Sequence, residues 1–215
     1  MTIGLPLAEF PPEHLTLLTT CLALAVTDAT RALGIEQVNI KWPNDLVCDS
    51  APVSDPVSEP SPNRVEHAPT YFNLGGILAE VHQIPGLGDC ALLGLGLNVN
   101  WPELPPELVG IASSLNKIVG HEIDREQLLI ELLTSLDVKW LPELQDPEGD
   151  QSVLYQTYRA RSATIGTRVR VELPQGELVG VATGIATYGA LLLRDDFGHD
   201  HVVTVGDVVH LRPER

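Results

Sequence analysis

The chain is poor in cysteine, in aromatic residues and in positive charge. Its three cysteines, Cys21, Cys48 and Cys90, cannot pair completely, and no Cys-x-x-Cys or Cys/His spacing suggests zinc. That excludes a disulfide-stapled scaffold and points to a reducing compartment, the cytoplasm. Thirteen basic residues face 29 acidic ones, a net charge of −16. So acidic a chain disfavours nucleic acid and anionic membrane surfaces as partners, because both call for basic patches. It leaves room for an anionic nucleotide, which needs only a few local cations. Long apolar runs are missing too. The stretch from Leu15 to Leu33 comes nearest, but it holds Asp28, Arg31 and several threonines, with no basic region before it. It reads as a soluble helix. No internal repeat is evident.

What remains is ordinary globular material. The 215 residues are 44% apolar and 20% charged, enough for one sizeable domain and a small one. Leu18, Cys21, Leu22, Ala25, Ala29, Ala32 and Leu33 share one helical stripe, which predicts a helix over 12–33. Pro12 suits its first turn and Gly34 its C-terminal cap. Strands are expected at 37–41 and 45–49, then at 71–82 and 89–99, with a turn at Pro85-Gly86-Leu87-Gly88. Residues 50–70 hold five prolines and no apolar periodicity, so a loop is expected there. Helices are expected over 124–141, with Asp124 as N-cap, and over 151–161. From Thr167 the pattern changes to short strands at 169–173, 178–182, 190–193, 201–205 and 208–211, separated by glycine-bearing turns. That predicts a small SH3-like barrel.

The densest chemistry lies in Lys41-Trp42-Pro43-Asn44-Asp45, directly after the β-branched run Val38-Asn39-Ile40. Proline ends the strand, and Asn44 and Asp45 turn the chain while offering hard oxygens. A lysine, an amide and a carboxylate at a strand end suit a charged substrate beside a metal ion. Trp42 is equally a candidate core residue. Gly75, Gly76, Gly94 and Gly96 would let a flat ligand or another backbone come close, or would simply relieve crowding between strands. Asn98 follows the last two of these and is either a ligand-facing amide or a strand cap. His210 reads as structural.

Four segments in this order resemble biotin–protein ligases: the Lys41–Asp45 motif, Asn73-Leu74-Gly75-Gly76-Ile77-Leu78-Ala79-Glu80, Gly94-Leu95-Gly96-Leu97-Asn98-Val99-Asn100, and Gly206-Asp207-Val208-Val209-His210-Leu211-Arg212. The resemblance runs from about Leu15 to Arg212. It implies an α+β fold, a mixed sheet with packed helices over 1–163, followed by a β-barrel over 164–215. It implies ATP, biotin and Mg²⁺ as ligands, and a biotin carboxyl carrier domain as protein partner, for a monomer or homodimer. The reaction would run through biotinyl-adenylate. Lys41 and Asn73 would act in catalysis. Trp42, Asn44, Asp45, Gly75, Gly76, Gly94, Gly96 and Asn98 would bind biotin or nucleotide. Asp45 and Asn98 would share a Mg²⁺ at neighbouring strand ends.

Two departures stand out. The family carries a lysine where this chain has Asn73, and asparagine cannot neutralise a developing negative charge. Arg64 or Lys41 could substitute. The family also carries an earlier Ser/Thr-bearing segment and a Gly/Arg-rich loop, and neither has a counterpart in this sequence. Met1-Thr2-Ile3-Gly4-Leu5 resembles the strand that follows that loop. A mis-called start, a fragment or a degenerate paralogue would each account for this, and a poor catalyst is expected. Two other functions stay open: a binding-only module that holds biotin, nucleotide or carrier, and a lipoate ligase or transferase relative.

Overall fold

The structure, a computed structural model, describes residues 1–48, 71–146, 149–174 and 176–210. The expected loop over 50–70 with Arg64, the Asp49 end of the second strand, Leu211 and Arg212 lie outside the described residues.

Two five-stranded sheets organise the chain. The first has the order β1-β5-β4-β3-β2, with β1 Thr2–Pro6, β2 Val38–Lys41, β3 Asp45–Cys48, β4 Phe72–Ile84 and β5 Gly88–Leu97. Every named pair in it is antiparallel. Parallel pairing among the described residues is confined to two isolated bridges, Ile40 with Ser162 and Asn73 with Ala112. Antiparallel sheets cover one face and leave the other available. The covered face here carries Leu74, Ile77, Leu93 and Leu95, all in the main core.

Against that face lies α1, Leu18–Ala32. The expected helix over 12–33 begins late, because Pro11 and Pro12 open a 3₁₀ turn over Pro12–Leu17 first. Nearly all of α1 is buried, so it is a central helix rather than a surface one. A short α2, Leu115–Val119, ends on Gly120 in the left-handed region. The helix expected over 124–141 is α3, Arg125–Ser135, running through a π turn at Leu136–Trp140 into α4, Leu141–Gln145. Asp124 caps α3 as expected, accepting from the amides of Glu126 at 2.9 Å and Gln127 at 3.0 Å, worth about 1 kcal/mol. The π turn brings Trp140 and Lys139 onto Asp28 of α1, whose carboxylate also takes Ser135 and Arg161. Arg161 ends α5, Ser152–Arg161. One carboxylate thus ties three helical segments together.

The second sheet has the order β10-β6-β7-β8-β9, with β6 Arg168–Leu173, β7 Gly176–Ile185, β8 Leu191–Asp195, β9 Asp200–Val203 and β10 Asp207–His210. Val169, Val171, Ala182, Leu191, Leu193, Val203 and Val208 form its own apolar core. This is the expected small barrel.

Candidate functional site

The site grows out of the β2–β3 hairpin. Lys41 and Asp45 are its closing pair, directly opposite each other. Their side chains meet on one face, with Lys41 Nζ 3.3 Å from Asp45 Oδ2. Both are only part-buried, so the pair remains open to a ligand. The turn between them holds a cis Trp42–Pro43 bond. Asn44 then locks the hairpin to the central strand: its Nδ2 donates to the Ile77 carbonyl at 2.7 Å, and the Ile77 amide donates to the Asn44 carbonyl at 2.9 Å.

The register carries this corner across the sheet. Asp45 pairs with Gly76, and Gly76 pairs with Gly96. Gly94, two residues back along β5, faces Leu78 and Thr2 on the neighbouring strands. The core-facing residues between them are Ile77 and Leu95, so Gly76, Gly94 and Gly96 lie on the opposite, uncovered face. A Cβ on Gly96 would meet nothing within 4 Å, and one on Gly76 would meet Asp45 Oδ1 at 3.6 Å. The result is a floor with almost no side chains, bounded at one end by the Lys41–Asp45 pair. A flat apolar ligand can lie on such a floor while its charged end reaches the ammonium.

Gly75 has a different job. Leu46 pairs with Gly75 but Val47 pairs with Asn73, so β4 carries one extra residue. Gly75 sits at φ 156, and a Cβ there would run into the Gly96 carbonyl. The bulge lets Leu74 and Ile77, three residues apart, both face the core. Strand alternation then turns Asn73 to the uncovered face. Its backbone is held by Ile111 and Ser113, each at 2.9 Å.

Two further expectations change here. Trp42 is 3% exposed and packed in the barrel core, so it cannot stack on a ligand over the floor. Asp45 and Asn98 are not at neighbouring strand ends, because β4 lies between them. Two strand spacings and a two-residue offset along β5 put their Cα atoms about 12 Å apart. Asn98 Nδ2 also donates to the Ser113 carbonyl at 3.1 Å. A metal ion held by both is therefore not preformed. Among the described residues no group of three or more His, Cys, Asp and Glu is arranged to hold a metal. A single part-buried carboxylate suits a magnesium ion that brings its other ligands from phosphate and water.

Sequence reasoning missed the support behind Asn98. The segment 98–101 is clamped by the start of α2: the amides of Leu115 and Asn116 donate to the carbonyls of Asn98 and Val99, both at 2.9 Å. Asn116 pairs both ways with the Trp101 backbone, at 3.2 and 3.0 Å. A five-residue helix leaves no periodic trace, so only a run of small residues, Ala112-Ser113-Ser114, hinted at it.

Comparison with known proteins follows the same outline. The family model for the biotin protein ligase C-terminal domain matches residues 164–211. The biotin–[acetyl-CoA-carboxylase] ligase of Mycobacterium tuberculosis is 34% identical over 99% of this chain and 69% of its own length. The chain belongs to the biotin–protein ligase family. Other ligases of the family are longer: the bifunctional ligase/repressor BirA of Bacillus subtilis is 26% identical, and that of Escherichia coli 25%, and the chain spans about half of each, 52% and 48%. Among solved ligases, the Aquifex aeolicus enzyme in complex with biotin and ATP superposes with a TM-score of 0.74. It is 21% identical and covers 99% of this chain and 77% of its own. A biotin protein ligase-like protein from Silicibacter sp. TM1040 gives 0.67 at 17% identity, over 94% and 76% of the two chains. At these identities the likeness to solved ligases is one of fold.

Proposed function

We propose that this chain ligates biotin to a lysine of a biotin carboxyl carrier domain, using ATP and passing through biotinyl-adenylate. The observation that carries the reading is the floor of Gly76, Gly94 and Gly96, nearly free of side chains and ending at the Lys41–Asp45 pair. The floor takes the biotin ring. A carboxylate oxygen of biotin forms a bond to the α-phosphorus of ATP, the α–β bridge breaks, and pyrophosphate leaves. The carrier lysine then attacks the acyl carbon, losing a proton, and AMP departs. Lys41 faces the phosphates and orients Asp45. Asp45 is the carboxylate that would hold Mg²⁺, which would supply charge neutralisation at the phosphates. Asn44 fixes the hairpin, Asn98 offers an amide oxygen at the far end, and Gly75 shapes the strand beneath.

We take residues 1–163 as the catalytic domain and 164–215 as the barrel. The protein works in the cytoplasm as a monomer or homodimer, with neither nucleic acid nor membrane as partner. Among the described residues no helix is long and apolar enough to cross a membrane. A second reading, a module that binds biotin or nucleotide with little turnover, draws on Asn73, which stands where the family resemblance expects a lysine.

Biotin-dependent exchange of labelled pyrophosphate into ATP tests the first half-reaction. Exchange supported by biotin and lost in Asp45→Asn is the expected result. Exchange supported by lipoate instead of biotin would overturn the substrate. Biotin binding without any exchange would leave the second reading standing.

A further inference from the structure

Trp42 sits inside the motif that builds the site, yet its side chain belongs to the other core. It packs with Val169, Val171, Leu191 and Leu193 of the barrel. Its indole Nε1 donates to the Gly189 carbonyl at 2.9 Å, and its backbone amide donates to the Oγ1 of buried Thr164 at 3.0 Å. Gly189 closes the Thr187–Gly189 turn, in which Tyr188 holds φ 67. That region disfavours a residue with a Cβ, and such strain persists where surrounding contacts over-determine the backbone. Here they do: the turn packs on the Pro12–Leu17 segment as well as on Trp42, and Gly189 lies beside Leu17 and Thr20. The sequence neighbours of Trp42 are the residues of the site. Lys41 precedes it, and Asn44 and Asp45 follow one residue later.

We propose that Trp42 is a positioning residue through which the barrel sets the Lys41–Asp45 pair over the glycine floor. The barrel then governs the charged, nucleotide-facing end of the site and not the apolar end. Planar burial fixes the indole in two directions, and the bond to Gly189 fixes the third. The short turn passes that position to Lys41 on one side and Asp45 on the other. The inference rests on the floor being the ligand site, as proposed above.

The test uses the full chain and three versions of it: the parent, Trp42→Phe, and Val203→Ala. Trp42→Phe keeps an aromatic ring in the barrel but removes the N–H donor together with part of the buried ring volume. Val203→Ala loosens the same barrel core without touching the Gly189 bond. Titration calorimetry measures Mg-ATP and biotin separately, and amide exchange follows Asp45 and Ile77. Trp42→Phe should weaken Mg-ATP by roughly fivefold, the value of one hydrogen bond, and biotin by less than about twofold. Exchange at Asp45 and Ile77 should quicken in the same variant. Val203→Ala should change none of the three. The proposal is wrong if Trp42→Phe leaves ATP affinity and exchange unaltered, or if Val203→Ala reproduces its effects. If the parent binds neither biotin nor Mg-ATP, the functional reading fails, while the exchange comparison still decides the role of Trp42.

Discussion

Asn44 and Ile77 exchange two hydrogen bonds across the β3–β4 boundary, side-chain amide to carbonyl at 2.7 Å and amide to carbonyl at 2.9 Å. A turn that could swing freely is thereby fixed to the central strand. Asn44→Ala should cost about 1 kcal/mol, since it removes the bond and leaves the Ile77 carbonyl short of a donor. Asn44→Asp should cost more, because a carboxylate would then face that carbonyl. Urea unfolding of the three proteins checks the order.

Two glycines one strand apart should separate stability from binding. Gly75→Ala drives a methyl into the Gly96 carbonyl and should destabilise the fold by about 3 kcal/mol or more. Gly96→Ala meets open space, so its stability should stay within about 0.5 kcal/mol of the parent. The same methyl would stand on the floor and lower biotin affinity by about tenfold or more. Thermal melting and calorimetry on both variants test the pair. A Gly96→Ala protein that binds as the parent does would remove the floor from the site.

Asp28 gives the fold an acid-sensitive clasp. Burial by itself would raise its pKa, but hydrogen bonds from Lys139, Ser135 and Arg161 and the charge of Arg161 outweigh it and hold the pKa below the ordinary 3.8. The folded value is the lower one, so the stabilisation is complete above the unfolded pKa. It is lost as pH falls through the folded value. Asp28→Asn should cost about 2 kcal/mol or more at neutral pH, leaving half-buried Arg161 without its carboxylate. The gap between parent and variant should shrink as urea midpoints are followed from about pH 6 to about pH 3.

Much of the scaffold was legible in residue pattern alone. The apolar stripe of α1, the Asp124 cap and most strands of both sheets announce themselves locally, whereas β1 is expected only from the family resemblance. Three other features do not. The helix expected at Pro12 starts only at Leu18, since the proline pair favours a tighter turn first. The bulge at Gly75 depends on which residue of β3 it opposes, a fact of pairing and not of local sequence. The destination of Trp42 lies 147 residues away in the chain, at Gly189. An isolated tryptophan carries no sign of which core will take it. For the site the pattern is similar. Lys41, Asn44, Asp45 and the glycines were visible as residue types, whereas the separation of Asp45 from Asn98 follows from strand order.

Asn73 offers a gain-of-function test. Strand alternation places it on the uncovered face, where an ammonium would reach a phosphate or the biotin carboxyl. Asn73→Lys should raise adenylate formation by about tenfold if one such contact is worth about 1.4 kcal/mol. Pyrophosphate exchange measures it. No gain would mean that another cation already serves that position.

The most direct measurement is transfer of labelled biotin, with ATP and Mg²⁺, to an isolated biotin carrier domain and to an isolated lipoyl domain in parallel. Label should appear on the carrier lysine, depend on ATP, and be absent from the lipoyl domain. Label on the lipoyl domain, or on neither, would contradict the assignment.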